Sequence, residues 1–475
     1  MLPDESTLAQ ALERVTGSGF EAWQSQERGA GHCAHPVRLA GRVSAIDKDT
    51  GEARVTFSTT GQPDGVLLKA CGSRRATLCE ACSALYKGDA RQLVRAGLVG
   101  GKGTSMTVST HPIVFATFTA PSFGAVHRAE RPGEAQGLCH PGPANRCRHG
   151  NLTVCAAGHL CGDEAVGTPL CASCYDYEGA VVWNARCSEL WRRTTIGVNR
   201  RLAAQLGLMV RHLHDHVTVS FVKVIEYQRR GVVHLHSVIR LDHPDGGCPD
   251  VEVSVLVGAV TLAAAKVSAP NPWRPEEPIR WGTQFDVRPV TLEAYRAVAN
   301  YLAKYATKST DQGGALDHRL KTGDTSALAL PEHLSAMVET AWRLGGDERL
   351  AALRLREWAH TLGFRGHWLT KSRSWSTTFS ALRGARHAYR LDQMRGPDAT
   401  DPWGRPLESH SCEELGNWDY RGVGYSNAGD AWLAVSAGES GREPASRLGG
   451  ADMGGVTGAR LADLLPLATA APAGT

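Results

Sequence analysis

Hydrophobic and polar residues alternate along residues 232–241, and this pattern predicts a half-buried β-strand. Side chains two positions apart on a strand point to the same face, so His234 and His236 are predicted to lie side by side. The Arg-Gly pair that precedes the strand is a turn signal. With residues 229–231 as the loop of a β-hairpin, Glu226 stands opposite His234 and adds a carboxylate to the two imidazoles.

A later repeat of about 3.6 residues predicts a helix that starts at the N-cap Thr291 and continues to Lys308. Tyr301 and Tyr305 lie one turn apart on this helix. Both stand at the border between an apolar arc and a polar flank that carries Lys304 and Lys308. The apolar arc consists of Leu292, Tyr295, Val298, Ala299, Leu302 and Ala306.

The same signals organise the rest of the chain. Residues 114–121 are predicted to form a strand, residues 41–57 a hairpin, and residues 185–206 and 339–362 helices. Gly, Ala, Pro and Ser dominate the C-terminal tail, which is therefore predicted to be largely disordered. The expected parts are an N-terminal region (1–106), a domain with the histidines and tyrosines (107–310), an accessory DNA-binding segment (331–395) and the tail (396–475).

Two histidines and a carboxylate at this spacing are typical ligands of a divalent cation that keeps open coordination positions. A carboxylate with open positions favours Mg²⁺ or Mn²⁺ for chemistry on phosphates, but imidazole also admits Zn²⁺, so the metal stays open. Taken alone, a His-x-His pair is also typical of the wet face of an antiparallel sheet, and border tyrosines are also typical of amphipathic packing. The two elements together favour a metal site next to the tyrosines.

The chain contains 13 cysteines, no N-terminal signal segment and no apolar run of about eighteen residues. We therefore expect a soluble, cytoplasmic protein without a membrane partner, in which cysteines bind metal and do not form disulfides. Cys71, Cys79 and Cys82 form the first cluster. Cys33 is the preferred fourth ligand, with His32 and His35 as alternatives.

A second cysteine cluster lies in a predicted insertion, residues 125–178, that is too long to stay ordered without a staple. One Cys-x2-Cys pair, Cys171 and Cys174, ends this insertion. Cys147 and Cys155 are its preferred partners, and the alternatives are His149, His159 and Cys161. We expect one or two structural Zn²⁺ ions in the chain.

The net charge is only +4, but basic residues group locally. Residues 363–390 contain no acidic side chain and mix basic with aromatic residues, which suits phosphate contacts and stacking on unpaired bases. A solvated basic surface over packed aromatics is the alternative. The predicted DNA-binding residues are Arg192, Arg193, Arg365, Lys371, Arg373, Arg383 and Arg386.

The histidine and tyrosine motifs, with a preceding strand that carries Thr117 and Thr119, resemble the HUH endonuclease superfamily in its two-tyrosine class. At closer range, residues 70–390 are similar to the RepSA-like rolling-circle replication initiators of actinobacterial plasmids and integrative elements. The resemblance implies an α+β fold, with a central antiparallel sheet, helices on one face and zinc-binding insertions. It places the histidine pair on a middle strand and the tyrosines on a flanking helix.

The resemblance also implies an activity. A tyrosine attacks one DNA strand at a replication origin, a metal assists, and the products are a 5′-phosphotyrosine link and a 3′-hydroxyl primer. The implied partners are single- and double-stranded origin DNA, a host helicase and a polymerase. The alternatives are a two-tyrosine transposase, a zinc-containing DNA-binding regulator without catalysis, and a hydrolase that activates water.

Overall fold

The computed structural model of the protein describes residues 3–130, 137–160, 162–308, 318–323, 325–326, 328, 330–395, 400–405 and 412–440. The chain divides into two compact units. The first unit contains the described residues of 1–90 and 378–455, and the second unit contains those of 91–377. None of the helices in the described part of the chain combines the length and the apolar character needed to span a bilayer.

Helices and strands are numbered here in chain order. The α-helices are α1 (Glu5–Thr16), α2 (Phe20–Gly29), α3 (Glu80–Val99), α4 (Tyr177–Gln205), α5 (Val253–Lys266), α6 (Tyr295–Lys308), α7 (Glu332–Leu344), α8 (Phe379–Arg395) and α9 (Ala428–Ser440). The strands are β1 (Val37–Asp47), β2 (Ala53–Ser58), β3 (Leu67–Lys69), β4 (Ile113–Phe118), β5 (Thr218–Tyr227), β6 (Val233–Asp242), β7 (Phe285–Pro289), β8 (Leu369–Lys371) and β9 (Cys412–Val423).

The first unit is built on β1, which pairs with β2 and β3 along one edge and with β9 along the other, always antiparallel. The predicted hairpin at residues 41–57 is present as β1 and β2. Its turn is held by Asp47, whose carboxylate accepts hydrogen bonds from the backbone N–H groups of Asp49 and Thr50. This bonding is typical of aspartate at a turn.

The tail is more ordered than the sequence predicts. Residues 412–423 form β9, which pairs with β1 from Val37 to Asp47, and α9 packs against α1. Arg14 of α1 forms a 2.8 Å ion pair with the buried Asp430 of α9. The prediction of disorder was wrong for residues 412–440 because their pairing partner lies almost four hundred residues away in sequence, and composition does not report such contacts. Residues 441–475 lie outside the described residues.

The second unit is built on an antiparallel sheet with the strand order β7-β4-β6-β5-β8 among the described residues. The predicted α+β class with an antiparallel sheet is therefore confirmed. The histidine strand β6 lies in the middle, and Glu226 on β5 pairs directly with His234, as the hairpin register predicted. Gly231 in the connecting turn has φ of 72°, a conformation that glycine adopts at little cost.

Helices cover both faces of this sheet, whereas the sequence predicted helices on one face. One face, which includes Phe118, Ile225 and Leu235, packs against α4 and α5 in the main core. The opposite face carries His234 and His236 together with the apolar residues Phe115, Val224 and Val238, which are buried. This second face is apolar enough to need its own cover, and α6 supplies it.

Two predicted helices have different bounds in the structure. The helix predicted at 185–206 begins earlier, at Tyr177, where Asp176 caps its N-terminus. The helix predicted at 339–362 is replaced by α7 and by short 3-10 turns. Helix α7 stops at Gly345-Gly346, and the chain turns again at Leu362, which has φ of 52°. Residues 331–377 belong to the second unit and α8 to the first, so the expected segment 331–395 is divided between them.

Candidate active site and metal-binding clusters

The histidine pair lies at the centre of the second unit, on the sheet face that α6 covers. The ring centroids of His234 and His236 are 4.6 Å apart. Thr117 Oγ1 lies 3.1 Å from His236 Nδ1, and Thr119 Oγ1 lies 3.3 Å from His234 Nδ1. Both threonines come from the neighbouring strand segment and engage the same ring atom. Because the Nδ1 atoms are engaged by the threonines, Nε2 is the second ring nitrogen at which each histidine can bind a partner.

Glu226, His234 and His236 carry the donor types that a divalent cation takes, but their ligand atoms are not among the described groups that all lie within 4.8 Å of one another. Glu226 Oε2 lies 3.5 Å from His236 Nε2. The pKa of both histidines is lowered to about 3. Burial is the main cause for both, and the neighbouring His236 adds to the lowering at His234. Both rings are therefore neutral at physiological pH, which is the protonation state that binds metal. A histidine that binds metal through one ring nitrogen usually has its other nitrogen hydrogen-bonded, as observed here.

The two tyrosines lie against the histidines. The hydroxyl of Tyr301 is 3.2 Å from His236 Nε2, and the ring of Tyr305 is centred 5.6 Å from the His236 ring. The two tyrosine rings are 4.5 Å apart, and Phe115 packs edge-on against Tyr301. The sequence placed both tyrosines at the border of the helix, but both are buried, because α6 presents this side to the sheet.

Burial also sets the acidity of the phenols. It raises the pKa of Tyr301 far above its ordinary value, and Tyr305 and Glu226 add to the effect. The pKa of Tyr305 rises to about 12, mainly through burial and then through Glu226. The ammonium group of Lys304 is 5.9 Å from the Tyr305 ring centroid. Lys308 ends α6, and its side chain lies outside the described residues.

A groove of about 1040 Å³ lies in the second unit and includes Thr119 among its lining residues. Thr119 also contacts His234. Arg229 and Arg280 also line the groove and are exposed. These two arginines are not among the predicted DNA-binding residues, because each lies outside the basic stretches of the sequence from which that prediction was made. Their shared position becomes visible only when the hairpin turn and the loop before β7 meet in space.

The first cysteine cluster forms in the first unit. The sulfur atoms of Cys33, Cys71, Cys79 and Cys82 all lie within 4.8 Å of one another. Of the three predicted alternatives for the fourth position, the structure brings Cys33 into the group. His32 instead lies 2.8 Å from the buried carboxylate of Glu27, and His35 is not a member.

The second cysteine region contains two groups, where the sequence preferred one. Cys147, Cys171 and Cys174 come together with His149. Cys155, the fourth predicted member, lies instead with His127, Cys139 and His159, of which only His159 was a predicted alternative ligand. The expected grouping is therefore corrected at Cys155. Spacing alone could not separate the groups, because their members alternate along the chain. Cys161 lies outside the described residues.

The predicted DNA-binding residues are divided between the two units, and several of them are engaged in contacts within their own unit. Arg192 and Arg193 both pair with Glu189, at 2.7 Å each. Lys371 donates to the carbonyl groups of Ser372 and Ser376. The guanidinium of Arg365 donates to the Ala352 carbonyl. Arg373 lines a small pocket of the second unit. Arg383 and Arg386 pair with the buried Asp89 in the first unit.

Comparison with known proteins gives two matches that cover most of the chain. A family model described as "RepSA: Replication initiator protein, pSAM2" matches residues 19–439. A curated replication initiator protein of Streptomyces ambofaciens is 39% identical over 457 residues, which is 92% of this chain and 93% of that relative. No solved structure matches this chain.

Proposed function

This chain belongs to the RepSA family of replication initiator proteins, and from this premise we propose that it starts rolling-circle replication by nicking one DNA strand at an origin. Tyr301 or Tyr305 attacks the scissile phosphate, and a divalent cation at His234, His236 and Glu226 assists. Replication initiators act on DNA, so origin DNA is the expected partner. A host helicase and a polymerase would then use the nick.

A single contact carries this proposal: the Tyr301 hydroxyl lies 3.2 Å from His236 Nε2. A nucleophile and a metal ligand are thus in direct contact on one face of a buried sheet. Glu226 stands on the same side of His236 at 3.5 Å. This juxtaposition supports the proposal of a nuclease site over a histidine pair that only faces solvent, because a solvent-facing pair needs no buried phenol beside it.

The side chains define the proposed reaction. The phenolic oxygen of Tyr301 forms a bond to phosphorus, and the bond from phosphorus to the 3′ oxygen of the preceding nucleotide breaks. The leaving oxygen gains a proton, and the phenol loses one to solvent, so the products are a 5′-phosphotyrosine and a free 3′-hydroxyl. A divalent cation bound by the two histidines and Glu226 would supply the positive charge that neutralises the phosphate.

The acidity of the phenols agrees with a need for such a cation. Burial raises the pKa of both tyrosines, which disfavours the phenolate that attacks. Positive charge near the hydroxyl has the opposite effect. On α6 itself, the ammonium group of Lys304 lies 5.9 Å from the Tyr305 ring centroid and supplies such a charge. We propose Tyr301 as the first nucleophile, because its hydroxyl contacts His236.

The groove that Thr119 lines supports an approach for the DNA strand. Its wall includes Thr119, which contacts His234, and the exposed cations Arg229 and Arg280. Arginine side chains along a groove are suited to the phosphates of a single strand. The basic residues predicted from sequence remain proposed contacts for DNA outside the site.

The test is a covalent capture experiment. Purified protein is incubated with Mn²⁺ and a labelled single-stranded oligonucleotide that carries the origin, and the products are separated by denaturing electrophoresis. We expect label on the protein. Tyr301→Phe together with Tyr305→Phe should remove it, and His234→Ala should remove the metal-dependent cutting. Tyr295→Phe is the matched control, because Tyr295 lies on the same helix but donates to Ser109.

The outcomes separate the alternatives. Label that persists on the double-Phe protein contradicts the proposal. Cutting without a protein adduct indicates a hydrolase, and binding without cutting indicates a regulator. The family match favours an initiator over a two-tyrosine transposase, and an initiator should support replication of a plasmid that contains only its origin.

A further inference from the structure

Eight cysteine and histidine side chains of the insertion form two four-membered groups whose members alternate along the chain. Group A consists of His127, Cys139, Cys155 and His159. Group B consists of Cys147, His149, Cys171 and Cys174. In chain order, a pair from A is followed by a pair from B, then A, then B. In a cross-brace, two metal sites take their pairs of ligands alternately along the chain, as these two groups do. We infer that residues 127–174 form a cross-brace module that holds two structural zinc ions, one in each group.

The separations between ligand atoms fit tetrahedral zinc. Bonds of about 2.3 Å to sulfur and about 2.0 Å to nitrogen place neighbouring ligand atoms about 3.3–3.8 Å apart around a tetrahedron. In group A, His127 Nδ1 is 3.1 Å from His159 Nε2 and 3.7 Å from Cys139 Sγ, and Cys155 Sγ is 3.4 Å from His159 Nε2. In group B, His149 Nδ1 is 3.2 Å from Cys174 Sγ and 3.8 Å from Cys171 Sγ.

Neighbouring polar groups orient these ligands in the way that metal sites require. Asp163 Oδ2 lies 2.6 Å from His159 Nδ1, so the carboxylate holds the ring with Nε2 turned into group A. The backbone N–H of Arg128 donates to Cys139 Sγ at 3.2 Å. In group B the amide of Asn151 donates to Cys171 Sγ at 3.1 Å. Donors aimed at sulfur stabilise a thiolate, the form that binds zinc.

The alternation couples the two sites. Cys147 and His149 of group B lie inside the loop that group A closes between Cys139 and Cys155. In turn, Cys155 and His159 lie inside the loop that group B closes. The described residues of this module contain isolated bridges and one short 3-10 turn, so they have little regular structure to hold either loop. Binding of each ion therefore lowers the entropy cost of closing the other site.

The module also contacts the hairpin that carries Glu226. Arg229 donates to the carbonyl of Asp163 at 2.9 Å, and the backbone of Gly167 leaves no room for a side chain beside Arg229. The hydroxyl of Tyr175, next to Cys174, donates to the carbonyl of Arg230 at 3.4 Å. Zinc in the module is thus placed to hold the turn between β5 and β6.

The test is a zinc count on the full-length protein, which needs no DNA and no catalysis. Elemental analysis after dialysis against metal-free buffer should give three zinc ions per chain, two in the module and one in the Cys33, Cys71, Cys79 and Cys82 group. An organomercurial that reacts with thiolates should release the same number from the unaltered protein. Fewer than two ions per chain, or a count that the group A and group B variants below do not lower, overturns the inference.

Variants test the coupling. The substitutions Cys171→Ser and Cys174→Ser disrupt group B, and Cys155→Ser with His159→Ala disrupt group A. Each double variant should lose two ions and keep one. The retained ion reports that the first unit is still folded. A group B variant that keeps two ions overturns the coupling. Cys248→Ser is the matched control, because Cys248 is exposed and belongs to none of the three groups, and it should keep three ions.

Discussion

Replacement of Thr117 by valine tests whether the threonine positions a metal ligand. Thr117 pairs with His236 across β4 and β6, and its hydroxyl lies 3.1 Å from His236 Nδ1. Valine keeps the branched shape that suits a strand but removes the hydroxyl, so the pairing between the strands is preserved. The expected effect is therefore on the histidine and not on the fold.

The size of the effect on metal affinity follows from the role of Thr117 as the partner of His236 Nδ1. Loss of a partner that orients a metal-binding histidine typically weakens metal affinity about 10–100-fold, which is about 1.4–2.7 kcal/mol. A buried donor left without a partner costs about 1–3 kcal/mol, which agrees. His236 is only 4% exposed, so water cannot replace the lost hydroxyl. His234 is more exposed and its bond to Thr119 is longer, at 3.3 Å, so Thr119→Val should have the smaller effect.

The affinity for Mn²⁺ can be measured directly by electron paramagnetic resonance, because the signal of free Mn²⁺ gives the concentration of the unbound ion. Thr117→Val should weaken binding at least tenfold, while Thr117→Ser, which keeps a hydroxyl, should stay close to the unaltered protein. Equal affinity in the valine and serine variants would refute the positioning role. The midpoint of thermal unfolding should change little in either variant.

Two further predictions concern stability. Gly97→Ala should lower the free energy of unfolding by about 1–3 kcal/mol, because the new methyl group would lie 2.1 Å from the Trp375 indole. Gly88→Ala on the same helix has open space and should raise it by up to about 1 kcal/mol. Asp242→Asn should cost about 3–5 kcal/mol in urea unfolding at neutral pH, because Arg240 would keep a buried charge without its counterion. Burial is the largest single influence and raises the pKa of Asp242, but the hydrogen bonds and charge of Arg240 together with the hydrogen bonds from Ser220 and His111 outweigh it and lower the pKa below its ordinary value. The stabilisation is therefore present above about pH 4 and lost as pH falls further, so the variant and the unaltered protein should converge in acid. A gap that persists in acid, or equal effects of the two glycine changes, would contradict these assignments.

Local patterns in the sequence determined the histidine strand, the hairpin register that sets Glu226 opposite His234, and the helix with both tyrosines. Each depends on a periodicity or a turn within about fifteen residues, and such short-range geometry is set by the backbone. Only the tertiary structure decided that α6 covers the histidine face, because the approach of a helix to a strand sixty residues earlier depends on packing. It also revealed the threonines as partners of the histidines.

The zinc ligands and the tail show the same limit. Cys33 and the Cys79–Cys82 pair were found by residue type, but Cys155 was assigned to the wrong group, since any cysteine or histidine can serve as a zinc ligand and spacing does not separate alternating sets. Strand β9 was missed because its hydrogen-bonding partner is β1, at the other end of the chain. The sequence therefore determined which side chains can do chemistry, and the folded chain decided which of them come into contact. Contacts between distant segments depend on loop closure and packing, which local periodicity does not encode.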